Sequence, residues 1–146
     1  MRLSEALNPA LVLIRPEVKG REDLLRLFAN TFVNAGAVSS SDEVVARLLE
    51  REAILSTGIG GGVAVPHAQV PGLGRLVMGA STHPNGLDYP ALDQQPVRLV
   101  FCLLGDTTTA ADHLAGLDRL ARLARRGDAL EPLIACTDAE DYVRTV

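Results

Sequence analysis

Nine residues limit what this chain can fold into more than any others: "VRLVFCLLG", Val97–Gly105, is apolar at nearly every position. A strand with one wet face alternates apolar and polar side chains. A run without alternation belongs to a central strand buried on both faces. "ALVLI" (Ala10–Ile14, before Pro16), "GVAV" (Gly62–Val65) and "RLVMGAST" (Arg75–Thr82) read as further strands, and "HPNGLDYP" after the last of these is turn chemistry.

Helices come before and between these strands. In "REDLLRLFANTFVNAG" (Arg21–Gly36), Leu24, Leu27, Phe28, Thr31 and Phe32 recur at three and four, and Gly36 suits a C-terminal cap. In "SSDEVVARLLEREAI", Ser40 and Glu43 make a capping box ahead of the stripe Val44, Leu48, Leu49. "TAADHLAGLDRLARLARR" (Thr109–Arg126) is a long helix, and "DALEPLIACTDAEDYVRTV" holds one or two short ones. The class that follows is α/β, with a mixed parallel and antiparallel sheet flanked by helices on both faces. At 146 residues the length fits one domain, spanning residues 1–146, large enough for a core without disulfide or metal staples.

Composition narrows the chemistry. A net charge of −4 disfavours nucleic acid as a partner, and 3% aromatics with no tryptophan disfavours base stacking or carbohydrate platforms. Cys102 and Cys136 stand far apart in apolar contexts and read as buried, reduced thiols. Lys19 is the only lysine and sits in a charged stretch, which leaves Schiff-base chemistry one candidate. No run reaches signal-peptide or membrane-spanning length, so a cytoplasmic location is expected.

The segment "STGIGGGVAVPHAQV" (Ser56–Val70) carries the chemistry. Its glycines are not a P-loop, since Val63 and Ala64 stand where Lys-Ser/Thr would close one. They are not a Rossmann fingerprint, which needs strand, turn and helix in that order. Their remaining uses are a tight reversal and a close approach of backbone. His67, His83 and His113 lack the short ligand spacings of zinc motifs, so no metal is expected. His67 and His113 make a better pair. Pro66 holds the backbone ahead of His67, at the end of its strand. His113 lies in the first turns of the long helix, on one stripe with Leu117, Leu120, Ala121 and Ala124, where the helix end favours anions. Taken alone, His113 reads as a core-edge histidine satisfied by a carbonyl, and His67 reads equally well as a turn residue.

A resemblance decides between these readings. "REAILSTGIGGGVAVPHAQV" (Arg51–Val70) resembles the signature of the enzyme IIA domains of the bacterial phosphoenolpyruvate-dependent phosphotransferase system, in the fructose, mannitol and nitrogen-regulatory branch. "QQPVRLVFCLLG" (Gln94–Gly105) and "HLAGLDRLARLARR" (His113–Arg126) extend the likeness over nearly the whole chain. The resemblance implies that His67 is phosphorylated, that His113 contacts the phosphoryl group, and that Arg51 lines the site. Ser56, Thr57, Gly58 and Gly60 of the motif are expected to contribute to binding, with the glycine turn clearing room for a partner. The donor implied is the phosphocarrier protein HPr, and the acceptor is an enzyme IIB domain. The membrane is reached only through a IIC permease, and no cofactor is implied. The alternative is a nitrogen-type regulator controlled by the phosphorylation state of His67. Three departures are visible: Gln69 where a basic residue is common, Gly61 where asparagine is common, and no proline before His113, where Thr109 and Asp112 suggest another helix start.

Overall fold

The computed structural model describes residues 2–146. Helix α1 (Leu3–Ala6) leads into strand β1 (Leu7–Ile14), followed by α2 (Arg21–Asn34) and α3 (Ser41–Ile54). Three short strands come next: β2 (Gly58–Gly60), β3 (Val63–Ala64) and β4 (His67–Gln69). The long strands β5 (Val77–Leu87) and β6 (Val97–Gly105) precede α4 (Ala110–Ala124), α5 (Glu131–Ile134) and α6 (Ala139–Thr145).

The sheet runs β1-β5-β6-β3-β2, and β4 also lies on β6. Pairing is mixed: β1/β5, β3/β6 and β4/β6 are parallel, while β5/β6 and β2/β3 are antiparallel. Strand β6 is the centre, as its composition requires. Val97, Val100, Cys102 and Leu104 face a core built with Leu24, Phe28 and Phe32 of α2 and Val44 and Leu48 of α3. Leu99, Phe101 and Leu103 face the opposite core, with Leu120, Leu133, Ile134 and Tyr142 of α4 to α6. Both cysteines are buried and free.

The helix ends follow local chemistry. Ala37 N–H donates to Phe32 O at 2.8 Å and Gly36 N–H to Val33 O at 3.0 Å, with Gly36 at φ +74°. That is a Schellman closure of α2. Ser40 Oγ accepts from Glu43 N–H at 3.2 Å, but the Glu43 carboxylate turns to Arg47 at 3.2 Å, so the expected box forms one of its two bonds.

Three expectations are corrected. The segment after Thr82 is not a turn: β5 continues to Leu87, opposite Val97, across an irregularity where Gly86 takes φ +88°. His67 does not end a strand. Pairing with β6 breaks after Ala64, across Val65, whose N–H turns to Thr57 O, and Pro66, which has no N–H, and resumes at His67 opposite Leu103. Thr109 precedes α4 but makes no side-chain cap there. Its hydroxyl accepts from Asp106 N–H at 2.9 Å, and Asp106 caps the 3-10 turn Thr107–Thr109 instead.

His83 is 7% exposed, its Nε2 2.7 Å from Ser81 Oγ, and burial pushes its pKa down to about 4. The unfolded chain therefore binds a proton near pH 6.5 that the folded chain resists until about pH 4. This contribution is fully present above pH 6.5 and lost as pH falls toward 4, by up to about 3 kcal/mol. Urea unfolding between pH 7 and 4 should show the decline, and His83→Gln should reduce its slope. An unchanged slope in the variant would refute this origin.

Candidate functional site

Four residues of α3 with helical spacing, Arg47, Glu50, Arg51 and Ile54, form one face and meet β4. With His67, Ala68, Gln69 and His113 they line an open cleft of about 440 Å³. The sheet delivers His67 from β4, beside the C-terminal end of β6. The first turn of α4 delivers His113. Their rings lie edge to face, 5.5 Å between centroids.

The His67 ring is oriented by its own backbone. Nδ1 lies 2.7 Å from Val65 O. A carbonyl oxygen can only accept, so Nδ1 carries the proton and Nε2 keeps its lone pair. Burial holds the His67 pKa below the usual value, and nearby Arg51 adds to this, against the opposing effects of the Val65 hydrogen bond and Glu52. Burial likewise lowers His113, helped by His67. Both rings are accordingly neutral at pH 7, and His67 presents an unprotonated nitrogen.

Arg51 Nη1 donates to Leu55 O at 2.7 Å, just past the end of α3. A cation at a helix C-terminus is favourable, and this bond anchors the guanidinium while leaving its other donors without partners among the described residues. His113 packs on the backbone of Gly105. A Cβ there would stand 3.0 Å from His113 Nδ1 and 2.8 Å from Thr109 Oγ1, so the close approach requires glycine. His113 Nδ1 is buried without a hydrogen-bond partner. Asp106 fixes the turn that places it, accepting from Thr108 N–H at 2.9 Å, Thr108 Oγ1 at 2.6 Å and Gly74 N–H. These bonds, the Thr108 hydroxyl first, hold the Asp106 carboxyl below the usual range.

The structure thus brings together Arg51, His67 and His113. It does not bring Ser56, Thr57, Gly58 or Gly60 to the cleft wall. Thr57 is buried, donating its N–H (3.1 Å) and hydroxyl to the Glu52 carboxylate. Ser56 donates to Pro90 O, Gly58 O accepts from Leu92 N–H at 2.9 Å, and Gly60 lies against Asp93. The glycine turn itself faces the other end of α4. Gly61, at φ +67°, packs so closely on Ala124 O that a Cβ would lie 2.6 Å from it. It reverses the chain there, far from His113, and does not clear the space around His67. His83 is also remote, five residues along β5 from the Met78 position level with His67 and Leu103. Among the described residues no group of three potential ligands is placed to hold a metal ion.

The residues missed in the sequence are Arg47, Glu50 and Ile54 on the cleft wall, and Glu52 beneath it. The first three carried a signal, since they share helical spacing with Arg51. Glu52 did not. Its side chain is 1% exposed, and it gathers Arg21 (3.4 Å), Thr57 and Tyr89 from three separate segments.

Known proteins share this sequence pattern and fold. The sequence model of the family described as "Phosphoenolpyruvate-dependent sugar phosphotransferase system, EIIA 2" matches residues 5–146. A "Nitrogen regulatory protein" of Bradyrhizobium diazoefficiens is 33% identical over 96% of this chain and 91% of its own. A "PTS system fructose-specific EIIA component" of Haloferax volcanii is 31% identical over 78% of this chain and 74% of its own. The crystal structure of nitrogen regulatory protein IIA-Ntr from Neisseria meningitidis superimposes with a TM-score of 0.89 at 26% identity, covering 98% of this chain and 97% of the other.

Proposed function

Because the chain belongs to the EIIA 2 family of the phosphoenolpyruvate-dependent sugar phosphotransferase system, we propose that His67 is its phosphoacceptor. It takes a phosphoryl group from HPr and passes it to an enzyme IIB domain serving sugar uptake, with fructose as the first sugar to test. The observation that carries this reading is the Val65 carbonyl on His67 Nδ1. It leaves Nε2 as the free nucleophile on a residue lining an open cleft.

In the proposed transfer, Nε2 attacks phosphorus in line and forms an N–P bond. The bond to the donor imidazole breaks, and the donor keeps the electron pair. Charge spreads over three equatorial oxygens, so the protein's task is positioning and electrostatic stabilisation. The uncommitted donors of Arg51 answer the oxygens as a planar fork. The arriving negative charge favours a protonated His113, which then donates a hydrogen bond. Onward transfer reverses these roles, with the acceptor side chain of the IIB domain as nucleophile. Ile54 and Leu114 are 79% and 68% exposed, one on the cleft wall and one beside His113, and supply apolar rim for docking.

A second reading, the nitrogen-type regulator, is supported by a specific observation: the Bradyrhizobium nitrogen regulatory protein is 33% identical over 96% of the chain, and IIA-Ntr from Neisseria meningitidis superimposes with a TM-score of 0.89. Incubation with phosphoenolpyruvate, enzyme I and HPr, followed by intact mass, tests both readings, since each requires an acid-labile adduct. Labelled protein is then offered to fructose and mannitol IIB domains. Rapid discharge supports the carrier. A persistent label supports the regulator, and no label overturns both. Gly105→Ala should push His113 aside and slow onward transfer by roughly tenfold or more, with the adduct still formed. Transfer at the wild-type rate would show that His113 needs no such placement.

A further inference from the structure

A second cleft, of about 300 Å³, lies between the start of the chain and the far end of α4. Arg2, Arg119, Arg122 and Arg126 line it with Leu3, Ser4, Leu123 and Val146. Among the described residues the Val146 carboxylate is the one anionic group there, and it makes no ion pair with the arginines. Arg119 and Arg122, three apart, share one face of α4, and Arg126 follows in the turn just past its end. Arg2 reaches the cleft from a different segment. Arg122 pairs with Asp118 of its own helix at 3.1 Å, and that pair is exposed and weak. Arg2, Arg119 and Arg126 have no ion-pair partner among the described residues.

A helix C-terminus attracts cations, which accounts for Arg122 and Arg126. It does not account for Arg119, a turn earlier, or for Arg2. In a chain of net charge −4, four guanidinium groups facing one cleft repel each other, and a multivalent anion between them relieves the repulsion. Guanidinium forks match phosphate oxygens in pairs, and the volume suits a small molecule rather than a macromolecule.

We propose that this cleft binds a small polyanion bearing two or more linked phosphate groups. It is separate from the histidine site, since Arg122 lies about 14 Å along the α4 axis from His113. The test is calorimetric titration of the full chain at low salt with pyrophosphate, triphosphate and inorganic phosphate, beside flotation with phosphatidylglycerol vesicles. Pyrophosphate should bind saturably, one per chain, and more tightly than phosphate. The double variant Arg119→Ser/Arg126→Ser should weaken it roughly tenfold or more. Arg125→Ser, just past the end of α4 but outside the cleft, should change affinity by less than about twofold. If the double variant does not fold, Arg2→Ser takes its place. Absence of saturable binding to the wild type overturns the proposal. So does equal weakening by Arg125→Ser, which means diffuse charge alone, or arginine-dependent vesicle binding without pyrophosphate binding, which means a lipid surface.

Discussion

His67→Ala is expected to carry no acid-labile phosphoryl group after incubation with phosphoenolpyruvate, enzyme I and HPr, while the wild type is labelled. The reason is geometric. His67 is the imidazole whose Nδ1 is committed to a backbone carbonyl, so its other nitrogen is free to attack. His113, whose ring centre is 5.5 Å away, has its Nδ1 turned into the protein against Gly105. His113→Ala should therefore still accept the group but pass it on about 10²-fold more slowly, the usual scale for losing one donor to a developing oxyanion. Both variants remove a half-buried ring at the edge of the cleft, so thermal unfolding should move little. Labelling of His67→Ala at the wild-type level would refute the assignment. Labelling lost equally in both variants would make the two rings a joint acceptor site.

Glu52→Ala is expected to lower stability by about 3 kcal/mol. The carboxylate is buried and accepts from Thr57 N–H, Thr57 hydroxyl, Tyr89 hydroxyl and Arg21. Truncation leaves the Thr57 N–H unpaired inside the fold. The two hydroxyls can still bond each other, being 2.7 Å apart, which keeps the loss below that of a wholly orphaned network. Burial, the Glu52 charge and the hydrogen bond to Glu52 push the Tyr89 phenol far up, against a smaller opposing effect of the Thr57 hydroxyl, so it stays a donor at any ordinary pH. Denaturant unfolding measures the loss. A midpoint within error of the wild type would mean that water replaces the carboxylate at no cost. Glu52→Gln keeps one acceptor oxygen and should fall between the two.

These two sites differ in how openly the chain displayed them. Arg51, His67 and His113 stood out because motif and helical stripe are local patterns, readable in windows of a few residues. Glu52 is adjacent to Arg51 in the same motif, yet its partners Arg21, Thr57 and Tyr89 come from three separate segments, and no local pattern predicts their meeting.

The sequence by itself determined the class of fold, the central strand and the three long helices α2, α3 and α4, because side-chain periodicity must match the faces a strand or helix buries. It also determined the three residues of the phosphoryl-transfer proposal, because motif spacing survives without knowledge of the fold. Only the tertiary structure decided what the glycine turn does. From the sequence it could flank His67 closely. In the fold, β3 carries the chain away from the turn, so Gly61 meets Ala124 at one end of α4 while His67 faces His113 at the other. The same distinction explains β5, where Pro84, Asn85 and Gly86 signal a turn locally but pairing of Leu87 with Val97 keeps the strand going. Local chemistry sets what a segment can do, and long-range pairing selects among those options.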